Sequence, residues 1–218
     1  MKRLQAFWQS LVGKKVIMAV TGVILFLFLV GHLLGNLQIF AGSRRLNAYS
    51  AFLKGTGEIL WGVRLVLLAA LVLHVVAAVQ VSLASKRARP IPYAMKKNLE
   101  TGYAARTMLW SGPLIFLYVV YHLAMFTFLA TGPGYSATDV YRNEVLAFRV
   151  PAISAAYVLA MIFLGMHLYH GAWSMIHTLG GSNPRYRTLR RKVAPAVVIA
   201  ITLGYIAIPI AVLTGWIS

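Results

Sequence analysis

Six histidines are the residues of this 218-residue chain best suited to chemistry, and all of them fall within or at the end of apolar blocks: His32, His74, His122, His167, His170 and His177. A histidine inside a hydrocarbon-facing helix is costly and marks a functional site more often than an accident of sequence. A lone one can simply hydrogen-bond a neighbouring helix. Four consecutive blocks each carrying at least one make that bland reading much weaker. The chain has no cysteine, which excludes disulfides, thiolate-held iron–sulfur clusters and covalently attached c-type haem within it. Any metal held here uses His, Met or carboxylate. The four acids, Glu58, Glu100, Asp139 and Glu144, lie in loops or at block edges, which argues against an ion-coupled transporter built on buried carboxylates.

The elements that must position these histidines are membrane spans. Hydrophobic residues make up 60% of the chain and charged residues 11%, far from the roughly 25% charged of soluble domains. Blocks of about 20 apolar residues match the length needed to cross a bilayer core as helix. Five are visible, at about 16–40, 60–84, 107–130, 151–178 and 194–216, and predict an all-α, five-helix integral membrane protein forming one domain over 1–218. The first four spans form the histidine-bearing bundle. Pro151 and Pro195 stand near the starts of the fourth and fifth blocks, Pro113 in the first turns of the third, and Pro209 inside the fifth, where it predicts a kink. The run from Val16 is too long for a signal peptide and is read as an uncleaved span.

The formal net charge is +17. Nucleic acid binding is one explanation of such a charge, but retention of Lys and Arg in cytoplasmic loops is the better one. Fifteen of the 21 Lys and Arg, including Lys14, Lys15, Lys86, Arg87, Arg89, Lys96, Lys97 and Arg106, fall on one side of the five spans. The other six, Arg44, Arg45, Lys54, Arg64, Arg142 and Arg149, fall on the opposite side. The expected orientation is therefore N-terminus cytoplasmic and C-terminus external. Trp8, Trp61, Trp110 and Trp216 lie near span ends, where interfacial tryptophans belong. The segment from Ala41 to Ile59 predicts a short amphipathic piece at the outer interface, with Leu46, Tyr49, Phe52 and Leu53 on one side.

Depth sorts the histidines into pairs. Spans one and three run outward, and at 1.5 Å per residue His32 and His122 lie about 23 Å from the cytoplasmic edge. Spans two and four run inward, and His74 and His167 lie about 16 Å from it. Two neutral imidazoles from facing helices are what bis-histidine ligation of a haem requires, one ring nitrogen for each axial position. Zinc wants three or four ligands converging on a point. The two levels therefore predict two b-type haems, an outer one between His32 and His122 and an inner one between His74 and His167. His170 shares a face with His167 and stays an alternative to it, which depth slightly disfavours; His177 sits at the inner surface. Gly31, Gly35, Gly112, Gly165 and Gly171 provide either haem space or close helix packing. The motif F-L-x-x-V-x-H-L occurs in both spans one and three, at Phe26–Leu33 and Phe116–Leu123, and sets His32 and His122 in equivalent surroundings.

Gly13–Gly22 (GKKVIMAVTG), Gly31–Phe40 (GHLLGNLQIF) with Leu46–Tyr49, and His167–Ser174 (HLYHGAWS) together resemble the cytochrome b558-type membrane anchor of succinate:menaquinone oxidoreductase, respiratory complex II, which is related to the di-haem anchor of menaquinol:fumarate reductases. The resemblance covers nearly the whole chain. It implies two haem b groups with the histidine pairing given above, and Gly171, four residues after His167, selects His167 over His170. It implies a flavoprotein with covalent FAD and an iron–sulfur protein on the cytoplasmic face, and menaquinone as electron acceptor in a bacterial cytoplasmic membrane. For quinone chemistry the resemblance leaves two places. Glu58 beside Trp61 would be the proton relay of an outer site, and Tyr103, Arg106 and Trp110 would surround an inner one. Lys14 and Lys15 would meet the propionates of the inner haem. Another di-haem anchor, b561-like or hydrogenase-type, and a transporter with structural histidines are the competing readings.

Overall fold

A computed structural model of the chain describes residues 2–88, 103–132, 134–181, 183, 185 and 187–218. Arg89, Lys96, Lys97 and Glu100 lie outside the described residues. Among those described, every regular element is helical: α1 (Lys2–Gln9), α2 (Leu11–Asn36), α3 (Ser43–Gly55), α4 (Glu58–Arg87), α5 (Tyr103–His122), α6 (Val140–Phe148), α7 (Pro151–Thr178) and α8 (Arg187–Leu213). A 3₁₀ turn, Leu37–Ala41, extends α2, and a π-helical turn, Leu123–Thr127, extends α5.

Five helices are long and apolar enough to cross a membrane, over Leu11–Ala41, Glu58–Arg87, Arg106–Thr127, Pro151–Thr178 and Arg191–Leu213. They coincide with the five apolar blocks. Their large side chains point outward: Leu27, Leu65, Leu117 and Leu203 are all exposed, as a surface facing hydrocarbon rather than water requires. Several helices run past the last apolar residue. Lys14 and Lys15 are helical in α2, and Lys86 and Arg87 in α4, because long cationic side chains reach the interface without ending the backbone hydrogen bonding. For the same reason Pro113 and Pro195 lie inside α5 and α8 rather than in their first turns.

The bundle is built on α2. It packs most extensively against α4 and also against α7, while α5 and α8 both pack on α7. Leu33, Met161, Leu164, Leu168, Val198 and Ile201 form the core where α2, α7 and α8 meet. Gly165 brings α7 and α8 close: a Cβ there would stand 2.6 Å from Thr202 Oγ1.

The end of the bundle where α2 finishes and α7 begins is covered by α3 and α6, two short helices tied by asparagines. Asn47 Nδ2 donates to Asp139 Oδ1 at 2.8 Å, and Asn47 Oδ1 accepts from the Tyr141 N–H at 3.0 Å. Asn143, buried, clasps the loop before it, accepting from the Ser136 N–H at 2.8 Å and donating to the Ser136 carbonyl at 2.7 Å. Lys54 donates to the Ala137 carbonyl. In α3, Leu46 is buried and Tyr49 packs on Gly35, but Phe52 is 68% exposed. The apolar side expected of that segment is therefore split between the bundle and the outside. The sequence reading treated α6 only as loop; its start is set by Asp139, which accepts from the Arg142 N–H at 3.0 Å as an N-cap.

Candidate functional site: two histidine pairs at two depths

α2 and α5 bring His32 and His122 together with ring centroids 5.9 Å apart and planes at 85°. α4 and α7 bring His74 and His167 together at 6.3 Å and 57°. Two metal–imidazole bonds of about 2 Å, with about 1.1 Å from each ring nitrogen to its ring centre, put the centroids of a bis-imidazole site roughly 6 Å apart. Both separations have that size. Among the described residues no three His or carboxylate groups converge as a zinc site requires.

The second nitrogen decides whether each ring can bind iron. Thr21 Oγ1 donates to the Ile17 carbonyl at 2.7 Å, so its lone pairs are left for His74 Nδ1 at 3.1 Å. The Tyr157 hydroxyl donates to Met125 Sδ at 3.5 Å and lies 3.3 Å from His122 Nδ1. The Tyr157 hydroxyl has both Met125 Sδ and His122 Nδ1 within reach, whereas the Thr21 proton is taken by the Ile17 carbonyl, so His74 Nδ1 is the donor and its Nε2 keeps a bare lone pair. That is the tautomer a metal-bound histidine needs. His167 Nδ1 is buried with no hydrogen-bond partner. His32 is held through its backbone, whose carbonyl accepts from Asn36 Nδ2 at 2.8 Å, and its ring stacks on Phe28 with centroids 5.2 Å apart. Tyr205 of α8 packs beside His32 at 6.3 Å and donates to the Leu29 carbonyl at 2.7 Å.

Helix geometry sets the distance between the pairs. Thr21, which touches His74, precedes His32 by eleven residues of α2, and Tyr157, which touches His122, precedes His167 by ten residues of α7. Each interval corresponds to about 15–17 Å along a helix. The separation exceeds the difference read from block edges, because α2 begins further inside than its apolar block.

Directly after His122, α5 widens into its π-helical turn, where the Phe128 N–H donates to the Leu123 carbonyl at 2.9 Å. The extra residue sets Met125, 1% exposed, under the Tyr157 hydroxyl. Such turns occur often at functional positions. The glycines divide. Gly35 and Gly165 are packing glycines, against Tyr49 and Thr202. Gly31, Gly112 and Gly171 have no described neighbour within 4 Å of where a Cβ would stand.

The remaining sequence candidates scatter. His170 is half-buried and outside both ring pairs, and exposed His177 packs on Trp173 at 5.1 Å. Half-buried Lys14 lies two turns before Thr21 on the same face of α2, whereas exposed Lys15 points away from it. Glu58 is exposed in the first turn of α4, and the Trp61 ring nearby is covered by the Arg64 guanidinium at 5.0 Å. Of the inner group, Trp110 is exposed and the Tyr103 side chain lies outside those described.

Sequence reading missed the polar groups around the outer pair. Tyr157 stands among the rings of Tyr118, Tyr121, Phe126 and Phe148 at 5.0–6.1 Å. α6, which packs on α7, carries the buried Glu144, 6% exposed. The Arg142 N–H and the Asn47 amide hold the nearby Asp139 carboxyl below the usual range. No protein-family model, curated protein or solved structure matches the chain.

Proposed function

We propose that this chain is the di-haem b-type membrane anchor of a succinate:menaquinone oxidoreductase. The observation that carries the reading is the meeting of four histidines from four spans as two pairs at two depths. Each pair has bis-imidazole spacing, and in each one partner has a hydroxyl at its Nδ1. His74 and His167 would hold the inner haem b, and His32 and His122 the outer one. Haem supplies one-electron carriage between its ferric and ferrous states.

The protein's own part is orientation, water exclusion and charge. Thr21 fixes the His74 tautomer, Tyr157 holds the His122 ring at its Nδ1, and the α2–α7–α8 core keeps the helices in register. Lys14, on the face of α2 that carries Thr21, would meet an inner propionate; Lys15 would reach one only from the interface. The N-terminus is proposed to be cytoplasmic and the C-terminus external, in a bacterial cytoplasmic membrane. On the cytoplasmic face the flavoprotein and iron–sulfur partners, which carry the FAD and clusters, would dock and deliver electrons from succinate. Menaquinone would accept them, with Glu58, exposed to outer water, as the proton relay.

Reduced-minus-oxidised spectra of the purified chain test the reading. Two b-type components are expected, and the absence of any haem band overturns it. Replacing His32 or His122 with Ala should remove one component, and replacing His74 or His167 the other. If His74→Ala and His32→Ala removed the same component, the pairing would be wrong. Copurification with a flavoprotein separates a succinate-oxidising complex from b561-like and hydrogenase-type anchors.

A further inference from the structure

The Tyr157 hydroxyl has one proton and two acceptors. Met125 Sδ lies 3.5 Å from it and His122 Nδ1 3.3 Å. Tyr157 is 5% exposed, and the rings of Tyr118, Tyr121, Phe126 and Phe148 stand around its own at 5.0–6.1 Å. Where the proton goes decides what His122 can do. If it goes to the sulfur, the oxygen lone pairs are left for an Nδ1–H, and Nε2 is bare. If it goes to Nδ1, the neutral ring carries its hydrogen on Nε2, where no metal can then bind.

The backbone holds the sulfur in place by unusual means. Met125 is 1% exposed and lies in the π-helical turn Leu123–Thr127 that follows His122. Two backbone bonds close that end of α5, from the Phe128 N–H to the Leu123 carbonyl and from the Ala130 N–H to the Ala124 carbonyl, both at 2.9 Å. Between them Leu129 takes φ +53° and is the one non-glycine residue with positive φ among those described. A side chain enters that left-handed region only at a cost. Strain kept beside a site raises the question of what it positions. A leucine would fill the space of Met125 as well, but only the thioether can accept a hydrogen bond.

We propose that Met125 is a positioning residue for the outer histidine pair, its sulfur taking the Tyr157 proton so that His122 stays in the tautomer that binds iron at Nε2. The inference rests on the di-haem reading above. With iron on Nε2, the nitrogen that faces Tyr157 carries a hydrogen, and of the two acceptors only the sulfur is left for the phenol. Without the sulfur, the hydroxyl turns its proton on Nδ1 and competes with the iron. A hydroxyl that donates is also the stronger acceptor. The Met125 contact therefore strengthens the Nδ1–H···O bond and makes His122 a more basic ligand, which favours the oxidised iron.

Haem titration and spectroelectrochemistry of the full chain test this. Met125→Leu keeps the bulk and removes the acceptor. It should weaken binding of the outer haem roughly two- to tenfold, the weight of one hydrogen bond. It should also raise the reduced-to-oxidised ratio of that haem at a fixed applied potential, and leave the inner haem unchanged. In a Tyr157→Phe background the same substitution should change neither quantity, because the sulfur acts only through the hydroxyl. Equal effects of Met125→Leu in the two backgrounds show a sulfur that only fills space and overturn this inference alone, as does no effect in either. Haem held in excess keeps the outer site filled in all four chains, so that each comparison is made. A chain that binds no haem overturns the inference together with the reading on which it rests.

Discussion

A histidine that binds metal depends on whatever holds its other nitrogen, and on the proposed di-haem reading those partners are Thr21 for His74 and Tyr157 for His122. Loss of such a partner commonly weakens metal binding 10- to 100-fold. Thr21→Val, which keeps the shape and removes the oxygen, should weaken retention of the inner haem by about that factor and spare the outer one. Tyr157→Phe should do the reverse. Haem content followed during dilution in detergent checks both, and equal loss from the two sites in either variant would contradict the assignment. His170→Ala should leave both haems in place. The histidines were legible in the sequence because an ionisable residue inside an apolar block has few bland explanations. Their partners were not. Thr21 lies 53 residues from His74 and Tyr157 lies 35 from His122, and a lone Thr or Tyr in an apolar helix belongs to no recognisable pattern. Glu144 was read as a loop carboxylate, because only the folding of α6 against its neighbours buries it.

Among the elements, the five spans could be read directly, since a bilayer imposes a length on any helix that crosses it. α6 was harder. It has nine residues, too few for a strong periodic signal, although the Asp139 cap and the spacing of Tyr141, Val145 and Phe148 mark it in retrospect. The π-helical turn after His122 left no sequence sign, because no Pro or Gly lies in Leu123–Thr127. The glycines separate two uses of the same residue type. Gly165→Val puts branched bulk against Thr202 and should force α7 and α8 apart, lowering stability by about 1–3 kcal/mol. Gly171→Ala meets no described neighbour within 4 Å and should cost only tenths of that, or stabilise the helix. Thermal melting of the two variants in the same detergent makes the comparison.

For the whole molecule, the outer cap links stability to pH. Folding raises the Glu144 carboxyl from 4.5 to about 8, so the unfolded chain gives up this proton at lower pH than the folded one. The folded state is therefore penalised as pH rises above the unfolded value, and the penalty is complete near pH 8. The melting temperature should fall between about pH 5 and 8, and should fall less in Glu144→Gln. A larger fall in the variant would mean that Glu144 is charged and paired in the fold. The spacing of the histidine pairs bears on a different quantity. About 16 Å along the helices is roughly half of a 30 Å hydrocarbon core. An electron passed from the inner pair to the outer one in the proposed orientation crosses about half of the membrane voltage. With the inside negative, that voltage drives the transfer by about 1.2 kcal/mol for every 100 mV. On the proposed reading, the placement of two rings on α2 and α7 would make the direction of electron flow sensitive to how strongly the cell membrane is energised.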